Sequence, residues 1–238
     1  HRLLWQERVA GVTLSSLLAS GDADHALLTR IARSVAALHG THIISSRRMT
    51  LNSLVDKLIA AKQTISTARS GCAGALRQVA DTLAMRTRHL GPYQDGTLHG
   101  DLHTNNILVS QTQIHLIDMD GISSGPPLAD LGSFLAELIY RGCLNDEPLE
   151  TMRPLLATVV EAYRQRATWP VADADVAWFT ASALIHERAL RCVTSLKPGR
   201  RETVDNVIDA ASRIGAGFRF THFVSAVGCD MKHSERVA

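Results

Sequence analysis

From about residue 22 the apolar positions recur every three or four residues, the period of a helix that buries one face. Ile31, Val35 and Leu38 make one such stripe, with Asp22 or Asp24 placed to cap its start. Leu51, Leu54, Val55 and Leu58 make the next, behind Thr50 as a cap. Gly71 and Gly74 interrupt the pattern, and a further helix is expected to end near His89, before Gly91-Pro92. The period changes in the middle of the chain. Ile107-Leu108-Val109 and Ile114 to Ile117 are short apolar runs separated by polar Ser110 to Gln113, which predicts a β-hairpin. Gly121 to Pro127 reads as loop. Helical spacing returns over 130–141, carrying Leu131, Phe134, Leu135 and Leu138, then over 146–166, over 173–194 behind an Asp173 cap, and over 202–214. After residue 220 no period is visible and a frayed tail is expected. The predicted class is mainly α (α+β), a helical domain with one central hairpin, and a site on that hairpin would sit on loops held by rigid helices.

The 238 residues suffice for one large domain or two small ones, and a 45% hydrophobic content supplies an ordinary core. A net charge of +2, with only 5% aromatic residues, lacks the basic stripe and stacking rings of a nucleic-acid binder. Cys72, Cys143, Cys192 and Cys229 lie far apart with no C-x-x-C pair, so reduced thiols are expected rather than a zinc or redox motif. With no signal-peptide pattern and no apolar run of about 18 residues, a cytoplasmic protein without a membrane partner is expected. The chain opens at His1 with the strand-like run Leu3-Leu4-Trp5, which has no partner before it; something upstream is expected to be absent.

Residues 99–121, HGDLHTNNILVSQTQIHLIDMDG, carry the chemistry. Phosphoryl transfer asks for an oriented acceptor and neutralised charge around the moving group. Asp101 can meet a hydroxyl nucleophile. Asn106, five residues on and immediately before the apolar run, can turn back to a cation; the spacing is that of H-R-D-L-x-x-x-N, written here H-G-D-L-H-T-N-N. Asp118 ends the second strand, where a carboxylate is costly unless paired or metal-bound, and magnesium favours such oxygens. One hairpin separates Asn106 from Asp118, so both can converge on one ion. Asp120 shares a strand face with Asp118 by alternation and is either a carboxylate standing behind the metal ligands or a solvated loop residue. His99 is read as a structural histidine bonded to the loop backbone. Asp130 is read as an N-cap and as a brace accepting N–H groups of the catalytic loop. A competing reading gathers His99, Asp101 and His103 around zinc or iron, as in a metal-dependent hydrolase; it leaves Asn106 and Asp118 unexplained.

These residues resemble the aminoglycoside phosphotransferase and choline kinase-like group, small-molecule kinases with a protein-kinase-like fold. The likeness rests on His99-Gly100-Asp101-Leu102-His103 with Asn106-Ile107-Leu108, on Ile117-Asp118-Met119-Asp120 and on Ala129-Asp130-Leu131. It extends back to Leu38-His39 and to Glu7-Arg8-Val9-Ala10-Gly11-Val12-Thr13-Leu14, which looks like the family's inter-lobe linker. The resemblance implies a C-terminal lobe over 15–219, a linker remnant over 1–14 and a tail over 220–238. It implies ATP and magnesium as cofactors, with adenine near the backbone of Glu7 and Val9, Asp101 as base, Asn106 and Asp118 as metal ligands, His99 and Asp130 as support, and His103 and Asp120 near the site. The family's phosphate-covering loop and strand lysine have no counterpart: no G-x-G-x-x-G or G-x-x-x-x-G-K occurs, and Lys57 and Lys62 lie on a predicted helix. An N-terminal lobe, in cis or from a split partner, is therefore expected to be missing, and this polypeptide alone is expected to turn over little.

Eleven residues lie between Asp118 and Asp130, too few for a peptide-seating segment, so a small hydroxylated acceptor is expected. Residues 185–201 hold Arg188, Arg191, Lys197, Arg200 and Arg201 against Glu187, a balance of +4. A solvated basic face explains this; the sign also disfavours a polycationic acceptor and admits a sugar, an acidic metabolite or a phosphorylated compound. Trp178, Phe179 and His186 are read as core packing. A kinase-like binding or regulatory module without catalysis is the alternative of a different class.

Overall fold

The computed structural model describes residues 9–195, 200 and 202–220. Glu7, the Leu3–Trp5 run, Lys197, Arg201, Cys229 and the expected tail beyond Phe220 lie outside the described residues.

The first half is helical, as its spacing dictates. After β1 (Val12–Thr13) and α1 (Leu14–Ser20) comes α2 (His25–His39), capped by Asp24, whose carboxylate accepts the Leu27 N–H at 2.7 Å. Leu28, Ile31 and Val35 are buried, and the last buried position goes to His39 while Leu38 is half-buried. In α3 (Leu51–Ala68) Thr50 and Ser53 cap each other reciprocally, and Leu54 and Leu58 face the core. Gly71 interrupts the helices, but Gly74 does not: it lies exposed in the first turns of α4 (Ala73–Arg86), where a missing side chain costs only helix propensity.

The expected hairpin is β3 (Ile107–Val109) and β4 (Ile114–Leu116), antiparallel with Ile107 opposite Leu116. β1 adds to its edge, giving a sheet of order β1-β3-β4. A second sheet was hidden in the predicted loop: β2 (Gly96–Leu98) pairs antiparallel with β5 (Ser123–Gly125). Ser-Ser-Gly shows no apolar alternation, so this strand is defined by its distant partner rather than by its own pattern.

α5 (Leu128–Leu144) starts two residues before the expected 130, because Pro127 sets the turn. Asp130 therefore sits inside the first turn and is not the cap. α6 (Leu149–Arg166) starts after Pro148 rather than at 146. The helix expected over 173–194 is continuous but changes pitch: α7 (Asp173–Ala183), a π-helical stretch (Leu184–Ala189) and α8 (Leu190–Thr194). Ala172 occupies its cap position, and Asp173 instead pairs with Arg164 at 2.6 Å. α9 (Val204–Gly215) closes the helical layer. Buried Leu131, Phe134, Leu135 and Leu138 of α5 and Trp178 and Phe179 of α7 run through the core; the Trp178 indole N–H donates to the Leu83 carbonyl at 2.8 Å. The described residues thus form the mainly α class expected. No described helix is long and apolar enough to cross a membrane.

Candidate active site

The loop after β2 is fixed from beneath by Asp130, which is 2% exposed. Its carboxylate accepts the main-chain N–H groups of His99 at 2.6 Å and Gly100 at 3.1 Å. A buried carboxylate needs such partners. A third comes from His39, whose Nε2 lies 3.2 Å away and must be the donor, since a carboxylate only accepts. His39 Nδ1 in turn meets the Tyr163 hydroxyl at 2.6 Å. Burial pushes that phenol well above its ordinary pKa, so it stays protonated. The chain Tyr163–His39–Asp130 links α6, α2 and α5 to the loop.

His99 is fully buried, and its Nε2 lies 2.8 Å from the Ile117 carbonyl, the structural role its position suggested. Gly100 adopts φ 82°, and a Cβ there would lie 2.0 Å from the Gly121 carbonyl oxygen. Backbone touches backbone at this point, which brings the loop of Asp101 against the turn that follows Asp118.

Asn106 is 6% exposed, and its Nδ2 donates to the Asp101 carbonyl at 3.1 Å, leaving Oδ1 without that duty. The Ile117 N–H donates to the Asn106 carbonyl at 3.0 Å, extending the hairpin register by one pair. Asp118 follows at once. Twelve residues of sequence separation are thus reduced to neighbouring rungs of one ladder. Asp118 is exposed and left-handed, φ 62° and ψ 54°, a conformation uncommon for a non-glycine residue and tolerated best by Asp and Asn. The Asp101 side chain is 64% exposed, with His103 Nε2 at 3.7 Å; His103 Nδ1 accepts the Asn105 N–H at 3.3 Å, which orients the ring.

Two expectations change. Strand alternation stops at the left-handed Asp118, so Asp120 sits in a one-turn 3-10 helix (Met119–Gly121) and does not share a strand face with Asp118; its side chain is exposed and its carbonyl accepts from Arg47. The metal triplet of His99, Asp101 and His103 does not assemble: His99 is buried with Nε2 engaged, while Asp101 points to solvent. Among the described residues no three His, Cys, Asp or Glu side chains group as a metal site. Val9, half-buried, lies three residues before Val12 of β1, the strand that pairs with β3.

Beside Asp101 opens a cleft of about 460 Å³, walled by α3 and by the π-helical stretch and α8. Lys57, His186, Arg188 and Arg191 line it: Lys57 has no such role in the sequence reading, His186 lies at the cleft rather than packing wholly in the core, and Arg188 and Arg191 belong to the basic stretch. The available signal was the α3 face of Lys57, Ala60, Ala61 and Thr64, which sits at helical spacing yet carries no large apolar residue. Burial holds the His186 imidazole below its ordinary pKa, so it is neutral near pH 7. Arg188, 4% exposed, binds Glu137 at 3.0 Å and Glu187 at 3.2 Å. Trp178 and Phe179 pack in the core, as read.

Solved structures with a similar fold include a choline kinase from Cryptosporidium parvum Iowa II, at 16% identity and a TM-score of 0.59 over 88% of this chain and 70% of that one. A putative aminoglycoside phosphotransferase from Ralstonia eutropha JMP134 matches at 15% identity and a TM-score of 0.57, covering 90% of this chain and 70% of that one. The amicoumacin kinase hAmiN, in complex with AMP-PNP, Ca2+ and Ami, matches at 14% identity and a TM-score of 0.57, covering 92% and 65%. At these identities the likeness shows the protein-kinase-like fold, and the chain spans about two thirds of the length of those structures. No curated protein sequence matches. The model of the phosphotransferase enzyme family matches residues 1–174, most of the chain, and the protein belongs to that family.

Proposed function

We propose that the protein transfers the γ-phosphoryl group of magnesium-bound ATP to a hydroxyl of a small molecule. The observation that carries this reading is the union of two loops at Gly100 and Gly121, which sets Asp101 beside the Asn106–Asp118 rungs.

The donor set fits magnesium: an amide oxygen on Asn106 and the Asp118 carboxylate are hard oxygen ligands. Magnesium held there would neutralise charge on the phosphates. Asp101 orients the acceptor hydroxyl and takes up its proton. His103, 3.7 Å from the Asp101 carboxylate, limits its rotation. Asp130 keeps the loop in one conformation, so little reorganisation is left for the reaction itself. Glu7 and Val9 are proposed to present backbone groups to adenine. A cytoplasmic setting accords with the free thiols of Cys72, Cys143 and Cys192.

The Asp118→Ala variant tests the metal assignment. The magnesium concentration giving half-maximal ADP release should rise more than about tenfold. An unchanged magnesium curve would remove Asp118 from the site.

A further inference from the structure

The cleft beside Asp101 has a charge pattern that bears on the acceptor. Apart from Asp101 at its edge, its titratable lining falls into two groups. Arg188 and Glu187 are consumed by each other, by Glu137 and by the Ser133 hydroxyl, which donates to Glu187 at 2.6 Å. His186 is kept neutral by burial. Lys57 on α3 and Arg191 on α8 are different: both are exposed on opposite walls, and neither has a carboxylate partner among the described residues.

Arg188 adds a second sign. Its Nε–H is buried without a partner among the described residues, although the rest of the guanidinium is engaged. An orphaned buried donor is costly unless something accepts from it. Among the described residues that line the cleft there is no Phe, Tyr or Trp, so they form no aromatic cage of the kind that suits a quaternary ammonium. Ala60 and Ala61 keep its α3 wall low and leave room between the two cations.

We propose that the acceptor carries an acid group, a carboxylate or a phosphate, bound between Lys57 and Arg191 while its hydroxyl meets Asp101. The placing of the hydroxyl rests on the phosphotransferase reading; the binding of the anion does not. The π-helical stretch matters here because it turns Arg188 inward just before Arg191, so that one helix supplies both the buried donor and the exposed cation.

Four probes with one carbon skeleton decide it: gluconate, glucose 6-phosphate, glucose and glucosamine, titrated calorimetrically into the 238-residue chain without nucleotide. At least one of the two anions should bind about tenfold more tightly than glucose, and glucosamine more weakly still. Which anion wins separates a carboxylate site from a phosphate site. The double variant Lys57→Ala, Arg191→Ala, both at exposed positions, should erase the preference, and salt should weaken it. Glucose or glucosamine binding as well as both anions, no anion binding at all, or a preference that survives the double variant would each overturn the proposal. ADP release is read separately, on the natural polypeptide that carries residues 1–238, so a protein that holds the anion but makes no ADP there keeps this inference and loses the phosphotransferase reading.

Discussion

Replacing Asp101 with Asn should lower phosphoryl transfer by about 10²–10⁴-fold, the range ascribed to a positioned acid–base group. The substitution keeps the side-chain shape and removes the ability to take up the hydroxyl proton. It should leave the fold intact for a local reason: Asp101 contributes to its loop through its backbone carbonyl, which accepts from Asn106, while its carboxylate is mostly in solvent. The assay is ADP release by the natural polypeptide that carries residues 1–238, with saturating nucleotide and an acceptor chosen by thermal-shift screening of hydroxylated metabolites. Nucleotide affinity and melting temperature should hardly move. A variant with near-native turnover would take Asp101 out of the chemistry and leave it as a surface turn.

The second large effect is steric. Gly100→Ala must place a methyl group where the Gly121 carbonyl oxygen stands, at a φ that side chains rarely adopt. The left-handed conformation alone costs about 1–2 kcal/mol. The collision adds to it, because the methyl group is fixed to a loop that Asp130 holds and meets a backbone carbonyl two residues before the β2–β5 sheet, so neither side gives way easily. The loops must part, carrying Asp101 away from Asp118, so turnover should fall by more than the lost stability explains. Gly74→Ala is the internal contrast. That glycine is helical, exposed and has nothing within 4 Å of an added Cβ, so alanine there should raise stability by up to about 1 kcal/mol with unchanged activity. Thermal unfolding and initial rates of the two variants, measured side by side, separate the cases. Equal effects would mean that the Gly100–Gly121 contact is dispensable.

How far the sequence carried this depends on the range of each interaction. Helices were legible because their signal is local: Asp24 and Thr50 cap within three residues, and the Leu54–Leu58 stripe needs no distant partner. The hairpin was legible because both strands are apolar and a short polar turn joins them. Asp101, Asn106 and Asp118 could be named as candidates because their spacing carries the pattern. What stayed hidden is long-range. Ser123–Gly125 becomes a strand only by meeting Gly96–Leu98. The third partner of Asp130 is a histidine 91 residues away, and Tyr163 stands behind that. The cleft of Lys57 and Arg191 exists because α3 and α8 happen to face each other beside Asp101. The left-handed turn at Asp118 was invisible for another reason: Asp can adopt that conformation, but nothing in Ile117-Asp118-Met119 demands it.

Asn106 and Asp118 are proposed to hold one divalent ion beside Asp101. Manganese, a paramagnetic stand-in for magnesium, reads this through the amide resonances of the isotopically labelled chain in the presence of ADP. Selective broadening should fall on Asn106, Asp118 and their neighbours along the two loops, and should vanish in Asp118→Ala. Broadening centred elsewhere, or broadening at these residues that the Asp118→Ala variant leaves unchanged, would contradict the claim.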